Sequence, residues 1–205
     1  MINYPNKKRL DNNLSIEEKQ VKTKEKKILS AANRGMDFEH AVNSSNSYYD
    51  DNNIANITKR PTPIRIVKVD YAHNARIVDA YFEKQSTTDY NGVYKGKYID
   101  FECKETKSTT ALTFNNISSH QIKHLQKVIN HGGIAFFLIY FVSLNEIYLL
   151  DASYVIERYS HKEERKSLAL SYIKEKGHLV EQGFIPRLKY LDVVDKVYFN
   201  EKKEQ

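Results

Sequence analysis

The segment Asp100-Phe101-Glu102-Cys103-Lys104 sets acids and an amine at every second position. Read as a β-strand, its side chains alternate between faces. Asp100, Glu102 and Lys104 then share one face, while Ile99, Phe101 and Cys103 point to the other. The apolar set suits a core. The charged set puts a carboxylate beside an ammonium on a rigid element. Such a carboxylate can hold a divalent cation, and the lysine can position an attacking water or neutralise charge developing on a phosphate. The triplet Glu-x-Lys alone is unspecific, since it starts at Glu17, Glu25, Glu102, Glu105, Glu164 and Glu201. Position separates the copies. Glu17, Glu25 and Glu201 lie in terminal stretches, Glu164 in a charged helical run, and Glu105-x-Lys107 has the opposite parity. Only Glu102-x-Lys104 is backed by an apolar strand face.

Upstream lies Ser86-Thr87-Thr88-Asp89-Tyr90-Asn91-Gly92. Asp89 falls at a junction between strands, where a second carboxylate could converge on Glu102; the alternative is an Asx-turn leading into Asn91-Gly92. Gln121 also has two readings. Ser118-x-x-Gln121 fits a capping box, and a side-chain carbonyl at a helix start can equally face a metal or phosphate site. His120 and His124 are four apart on one helix, but no Glu follows His120 to make a zincin pattern, so both are expected at the surface or facing DNA. Cys103 has the wrong parity for the site and is expected to be buried rather than nucleophilic. No Gly-rich phosphate loop is present, which argues against an ATPase or a dinucleotide enzyme.

These residues need a scaffold, and apolar patterning supplies one. Asn33 can cap a helix carrying Met36, Phe38, Ala41 and Val42, followed by a polar linker over 43–53. A short strand at 54–59 ends before Pro61 and Pro63. Residues 64–71 and 76–82 read as a β-branched hairpin around a turn at 72–75. Arg65, Lys68, His73 and Arg76 are interspersed on its mixed faces, so the hairpin is expected to project. Asn91-Gly92 and Lys95-Gly96 are turn signals, with strands at 93–94 and 97–104. A helix from Ser118 carries Ile122, Leu125, Val128 and Ile129 and stops at His131-Gly132-Gly133. The apolar run 134–142 predicts a central strand covered on both faces, with 146–150 as its partner. Helices are predicted over 153–159, 167–176 and 188–198. The order of elements gives an α/β or α+β domain with a mixed sheet.

Composition bounds the function. With 205 residues, 40% hydrophobic and 28% charged, the chain can bury one full core. One cysteine excludes a disulfide framework or a cysteine-rich zinc site. The apolar run 134–142 is about half of the ~20 residues a membrane helix needs. No secretory signal is visible at the start, and a soluble cytoplasmic protein is expected. The net charge is +6, and residues 1–34 hold nine Lys/Arg against four acids. A basic arm on a nearly neutral body suggests a polyanionic partner such as nucleic acid; a solvated tail is the alternative.

Together, Asn33-Arg-Gly-Met36, Lys59-Arg-Pro-Thr-Pro63, Ala80-Tyr-Phe82, Ser86-Thr-Thr-Asp-Tyr-Asn-Gly92, Tyr98-Ile-Asp-Phe-Glu-Cys-Lys-Glu-Thr-Lys107, His120-Gln121 and Pro186-Arg187 resemble, in order and spacing, the RecU-type Holliday-junction resolvases. The resemblance covers roughly 33–199. It implies an α/β, restriction-endonuclease-like core with a central mixed β-sheet flanked by helices and a projecting β-hairpin stalk over 64–82. The nuclease domain would span 33–200, between a basic flexible arm (1–32) and a polar tail (201–205).

By the same resemblance, Thr87, Asp89, Glu102 and Gln121 would bind Mg²⁺, with Mn²⁺ able to substitute. Lys104 would stabilise the transition state, and Glu39 would support the site. Arg34, Arg65, Lys68, Arg76 and Phe82 would contact DNA. The implied protein is a nucleoid-associated homodimer that makes paired nicks in four-way junctions and modulates the RecA recombinase. The sequence departs from the family in two ways. The stalk is about two residues shorter, with Tyr71-Ala-His-Asn-Ala-Arg76 at its tip, and Cys103 replaces a usual Ala. Two rival readings are a sequence-specific nuclease of the same fold and a non-catalytic DNA-binding or recombinase-modulating protein.

Overall fold

A computed structural model describes residues 38–72, 74–83 and 87–199. The basic arm over 1–32, the Asn33 cap, Arg34 and the 201–205 tail lie outside the described residues. Helix α1 (Phe38–Asp51) is followed by β1 (Asn56–Lys59), the hairpin β2 (Ile64–Asp70) and β3 (Arg76–Phe82), then β4 (Tyr90–Tyr94), β5 (Lys97–Thr106) and β6 (Ala111–Thr113). Next come α2 (Ser119–Asn130), β7 (Ile134–Phe141), β8 (Glu146–Asp151), α3 (Ala152–Ser160) and β9 (Ser167–Ala169). The chain continues through α4 (Leu170–Lys176), β10 (His178–Leu179) and α5 (Tyr190–Val194), which runs into a π-helical turn at Asp195–Phe199.

Six strands form one sheet in the order β1-β4-β5-β7-β8-β10. The β5–β7 pair is parallel and the others antiparallel, so the sheet is mixed and the fold is α/β, as expected. All eight residues of β7 are buried, because it lies inside the sheet with both faces covered. On one face Phe137, Ile139 and Phe141 pack with Ile122 and Leu125 of α2, Val155 of α3 and Ile173 of α4. On the other, Phe101 stacks between Tyr90 and Phe136 at 5.0 and 4.7 Å, with Tyr190 of α5 and Tyr49 of α1 beyond. No helix among the described residues is long and apolar enough to cross a membrane.

The structure corrects the secondary-structure reading in three places. The expected linker at 43–53 is mostly helix, because α1 runs on to Asp51. Its Ser45 and Asn46 are buried and reach remote partners through their side-chain oxygens, although Asn46 Nδ2 has none among the described residues. Ser45 donates to Ala41 O and accepts from Leu188 N, both at 2.8 Å, while Asn46 and Asn43 accept the Tyr190 and Tyr90 hydroxyls at 2.5 and 2.8 Å. Hydrogen bonding to partners remote in sequence made a polar stretch buriable. Second, Asn91-Gly92 lies within β4, and only Lys95-Gly96 turns, with φ of 47° and 73° as a two-residue hairpin loop requires. Third, 167–169 is strand, paired with β6, rather than the start of a helix.

Gly92 serves close approach. A Cβ there would lie 2.0 Å from Asn56 O and 2.6 Å from Ile57 Cα, so β1 could not stay paired to β4. Gly92→Ala is expected to cost about 2–3 kcal/mol, read as a lower urea midpoint with an unchanged slope. A midpoint equal to the wild type would mean that β1 contributes little to stability.

Among the described residues the hairpin pairs only with itself, Glu83 N–H closing its base on Pro63 O at 3.0 Å. Every residue of β3 is exposed, as are all of β2 except Val69 and Asp70. Ile64, Ile66, Val67, Ile77 and Val78 are left uncovered, so the hairpin has no core of its own.

Candidate active site

Strand β5 presents Asp100, Glu102 and Lys104 on the face covered by α2, with the alternation expected from sequence. Glu102 is 1% exposed. Its Oε1 accepts from Gln121 Nε2 at 2.6 Å and lies 2.7 Å from Lys104 Nζ. Its Oε2 is buried with no hydrogen-bond partner among the described residues. Asp89 sits one residue before β4, whose register pairs Tyr90 with Phe101. This brings it beside Glu102. The segment is pinned twice, since Asp89 Oδ2 accepts from Cys103 N at 3.1 Å and its carbonyl from Arg60 N at 2.8 Å.

Two carboxylates therefore crowd a buried position served by one ammonium. Burial, and then the Asp89 charge, push the Glu102 carboxyl up to about 8, with Lys104 opposing them. An unsatisfied buried carboxylate oxygen beside a second carboxylate suits a hard divalent cation. No three of His, Cys, Asp and Glu converge among the described residues. A centre of two carboxylates fits Mg²⁺, which is usually held by one or two carboxylates together with water and substrate phosphate.

Gln121 makes the capping box its position predicts, and it is the amide nitrogen rather than the carbonyl that reaches the site. Its carbonyl accepts the Ser118 N–H at 3.0 Å, closing the start of α2, and its amide donates to Glu102. It thus meets the site through nitrogen and fixes the Glu102 carboxylate. Thr87 is half-buried at the start of the Asp89 segment. Glu39 stands exposed on α1, paired with Lys59 of β1. Arg65, Lys68, Arg76 and Phe82 are all exposed along the hairpin, apart from the carboxylate cluster. Cys103 is half-buried; burial and the nearby carboxylates raise its thiol well above the usual range, so it is no nucleophile near neutral pH.

The largest feature missed from sequence is Asp100. It is fully buried and accepts from Arg60 Nη2 at 2.6 Å, Tyr98 OH at 2.8 Å and the Thr88 hydroxyl, and contacts His124 Nε2 at 2.8 Å. The expectation of a surface or DNA-facing histidine is therefore wrong for His124, whose side chain is only 23% exposed. The signal was present in the spacing. Gln121 and His124 are three apart, on the same side of α2, so a Gln reaching Glu102 implies a His reaching Asp100 two residues back along β5.

The family described as "Recombination protein U" (RecU) matches residues 33–196. The chain is 48% identical over 198 residues to "Holliday junction resolvase RecU" of Streptococcus gordonii, covering 96% of each chain. It is 50% identical over 203 residues to the protein of the same name from Bacillus cytotoxicus, covering 97% of this chain and 99% of that one. With the Geobacillus thermodenitrificans protein of that name it shares 50% identity over 172 residues, 82% of this chain and 86% of the relative.

Proposed function

The chain belongs to the RecU family, and from that premise we propose that it is an endodeoxyribonuclease that resolves four-way DNA junctions by paired, Mg²⁺-dependent nicks. The carrying observation is buried Glu102 beside half-buried Asp89, with Glu102 Oε2 unpartnered and Lys104 2.7 Å from Oε1. Asp89 and Glu102 would hold the cation, with Thr87 beside them and Gln121 orienting the Glu102 carboxylate. When bound, Mg²⁺ (or Mn²⁺) would lower the pKa of an attacking water and offset charge on the scissile phosphate. Lys104 contributes a fixed positive charge where negative charge builds. Its ammonium is held by Glu102, so it is placed before substrate arrives.

A four-way junction has twofold symmetry and needs two matched nicks, which a homodimer supplies. Junction selectivity comes from shape and deformability, and phosphate contacts supply affinity. Arg65, Lys68, Arg76 and Phe82 stand on a hairpin exposed along both strands and free to enter the junction. Modulation of the RecA recombinase and association with the nucleoid in the cytoplasm go with the same family reading.

The deciding experiment is Mg²⁺-dependent cleavage of a mobile four-way junction, run beside linear duplex of the same sequences, with wild type and Asp89→Asn. Paired nicks on the junction that vanish in the variant are expected. Junction binding without cutting in Mg²⁺ or Mn²⁺ would refute the nuclease. A second test addresses the hairpin. Arg76→Ala should weaken junction binding several-fold more than duplex binding and lower the salt dependence by about one phosphate contact, a slope change of about 0.9. Equal weakening on both substrates in a titration over salt would remove the hairpin from junction recognition.

A further inference from the structure

A second basic feature lies apart from the carboxylates and the hairpin. Between α3, β9 and α4 is a cavity of about 270 Å³ whose wall includes Arg158, Arg165, Lys166, Ser167 and Tyr172 and no carboxylate. The Arg158 guanidinium lies 4.2 Å from the centre of the Tyr172 ring, and its Nε is buried without a hydrogen-bond partner. No ion pair is made by Arg158, Lys162, Arg165 or Lys166 among the described residues. The floor is held in place by backbone pairing. Strand β9 pairs with β6, Phe114 N donates to Lys166 O at 2.9 Å and Leu170 N to Thr110 O at 2.7 Å.

Lys166 also lines a neighbouring cleft of about 590 Å³, together with Lys162, Ser118, Ser119 and His120, and with Glu163 as its one acid. That cleft opens at the N-terminus of α2, whose positive end favours a phosphate. The next residue, Gln121, touches Glu102. Lys166 borders both hollows, so basic side chains line a track from the start of α2, close to the active site, to Arg158.

We propose that this track binds the sugar-phosphate backbone of one junction arm as it leaves the active site, a reading that rests on the nuclease function above. Unpaired cations in a concave surface are what phosphate recognition needs. Arg158 is pre-oriented on Tyr172 with an unused donor, and an Arg forks onto phosphate oxygens. The hydroxyls of Ser118 and Ser119 at the α2 start supply neutral donors nearest the cut.

The test is junction binding by fluorescence anisotropy across a salt series, without divalent cation, for wild type, Arg158→Gln, and Arg165→Gln with Lys166→Gln. Arg165 and Lys166 are exposed, so the double variant is expected to unfold at the wild-type temperature even if Arg158→Gln does not. The double variant should bind a long-armed junction about tenfold more weakly, with a salt slope lower by about two. On a short-armed junction, whose duplex ends before the track, its deficit should disappear. Unchanged affinity and slope on long arms overturns the proposal, as does an equal deficit on short arms. A wild-type protein that neither prefers nor cuts junctions would instead refute the nuclease reading, so the two failures are distinct.

Discussion

Replacing Glu102 by Gln is expected to abolish junction cleavage while making the metal-free protein more stable. Cleavage should fall about 10²–10³-fold or more, because a loss of several kcal/mol in cation and transition-state stabilisation divides the rate by ten for each 1.4 kcal/mol. The stability change has the opposite sign to most core substitutions. The Glu102 carboxyl stands at about 8 in the folded chain against an ordinary 4.5, through burial and then Asp89. Between those values the folded state holds a proton that the unfolded state gives up. Stability therefore falls as pH rises from about 4.5 to about 8 and is flat above. The Gln side chain has no such titration and keeps its size and an oxygen for Lys104. Without divalent cation, Glu102→Gln should melt with wild type near pH 4.5 and several degrees above it at pH 8. Added Mg²⁺ should raise the wild-type melting temperature most at high pH and leave the variant little changed. A variant that melts lower than wild type at pH 8 would show that the ionised carboxylate is satisfied by the protein itself, and the cation site would then be misplaced.

The sequence exposed the site more clearly than the elements around it. Parity along Asp100–Lys104 is a local property of an extended chain, so the split between Phe101 facing the aromatic stack and Glu102 facing α2 could be read in advance. The buried run 134–141 and the α2 periodicity were legible for the same reason. What escaped depends on partners distant in sequence. Ser45 and Asn46 read as linker because their partners, Leu188 and Tyr190, lie far along the chain. Gly92 reads as a turn unless the backbone of Asn56 is known to lie against it. The short β6–β9 pairing has three residues on each side, too few to show a period. Gln121 left two readings open because the structure uses both ends of one amide.

Asp100 makes the complementary case, and Asp100→Ala is the substitution expected to cost most stability. Two acids two residues apart share a strand face, and both are buried. Glu102 has donors on one oxygen and none on the other, whereas Asp100 gathers Arg60, Tyr98 and Thr88 and contacts His124. A carboxylate so supplied has little capacity left for a cation; one left short is poised for it. Among the described residues, removing Asp100 takes the only carboxylate from the Arg60 guanidinium, which is 22% exposed, has a buried, unpartnered Nε and keeps the Tyr98 hydroxyl at 2.8 Å. Breaking such a pair from one side costs about 3–5 kcal/mol, or on the order of 10 °C in melting temperature for a chain of this size. The Thr88 hydroxyl loses its anchor as well, one residue from Asp89. Cleavage measured well below the variant's melting temperature should therefore drop too, and Thr88→Val, which removes the hydroxyl while leaving Asp100 in place, should reproduce part of the loss. Asp100→Ala melting with wild type would show that the ring of donors is not a structural anchor. Asp100 would then have to be reconsidered as a third carboxylate of the cation site.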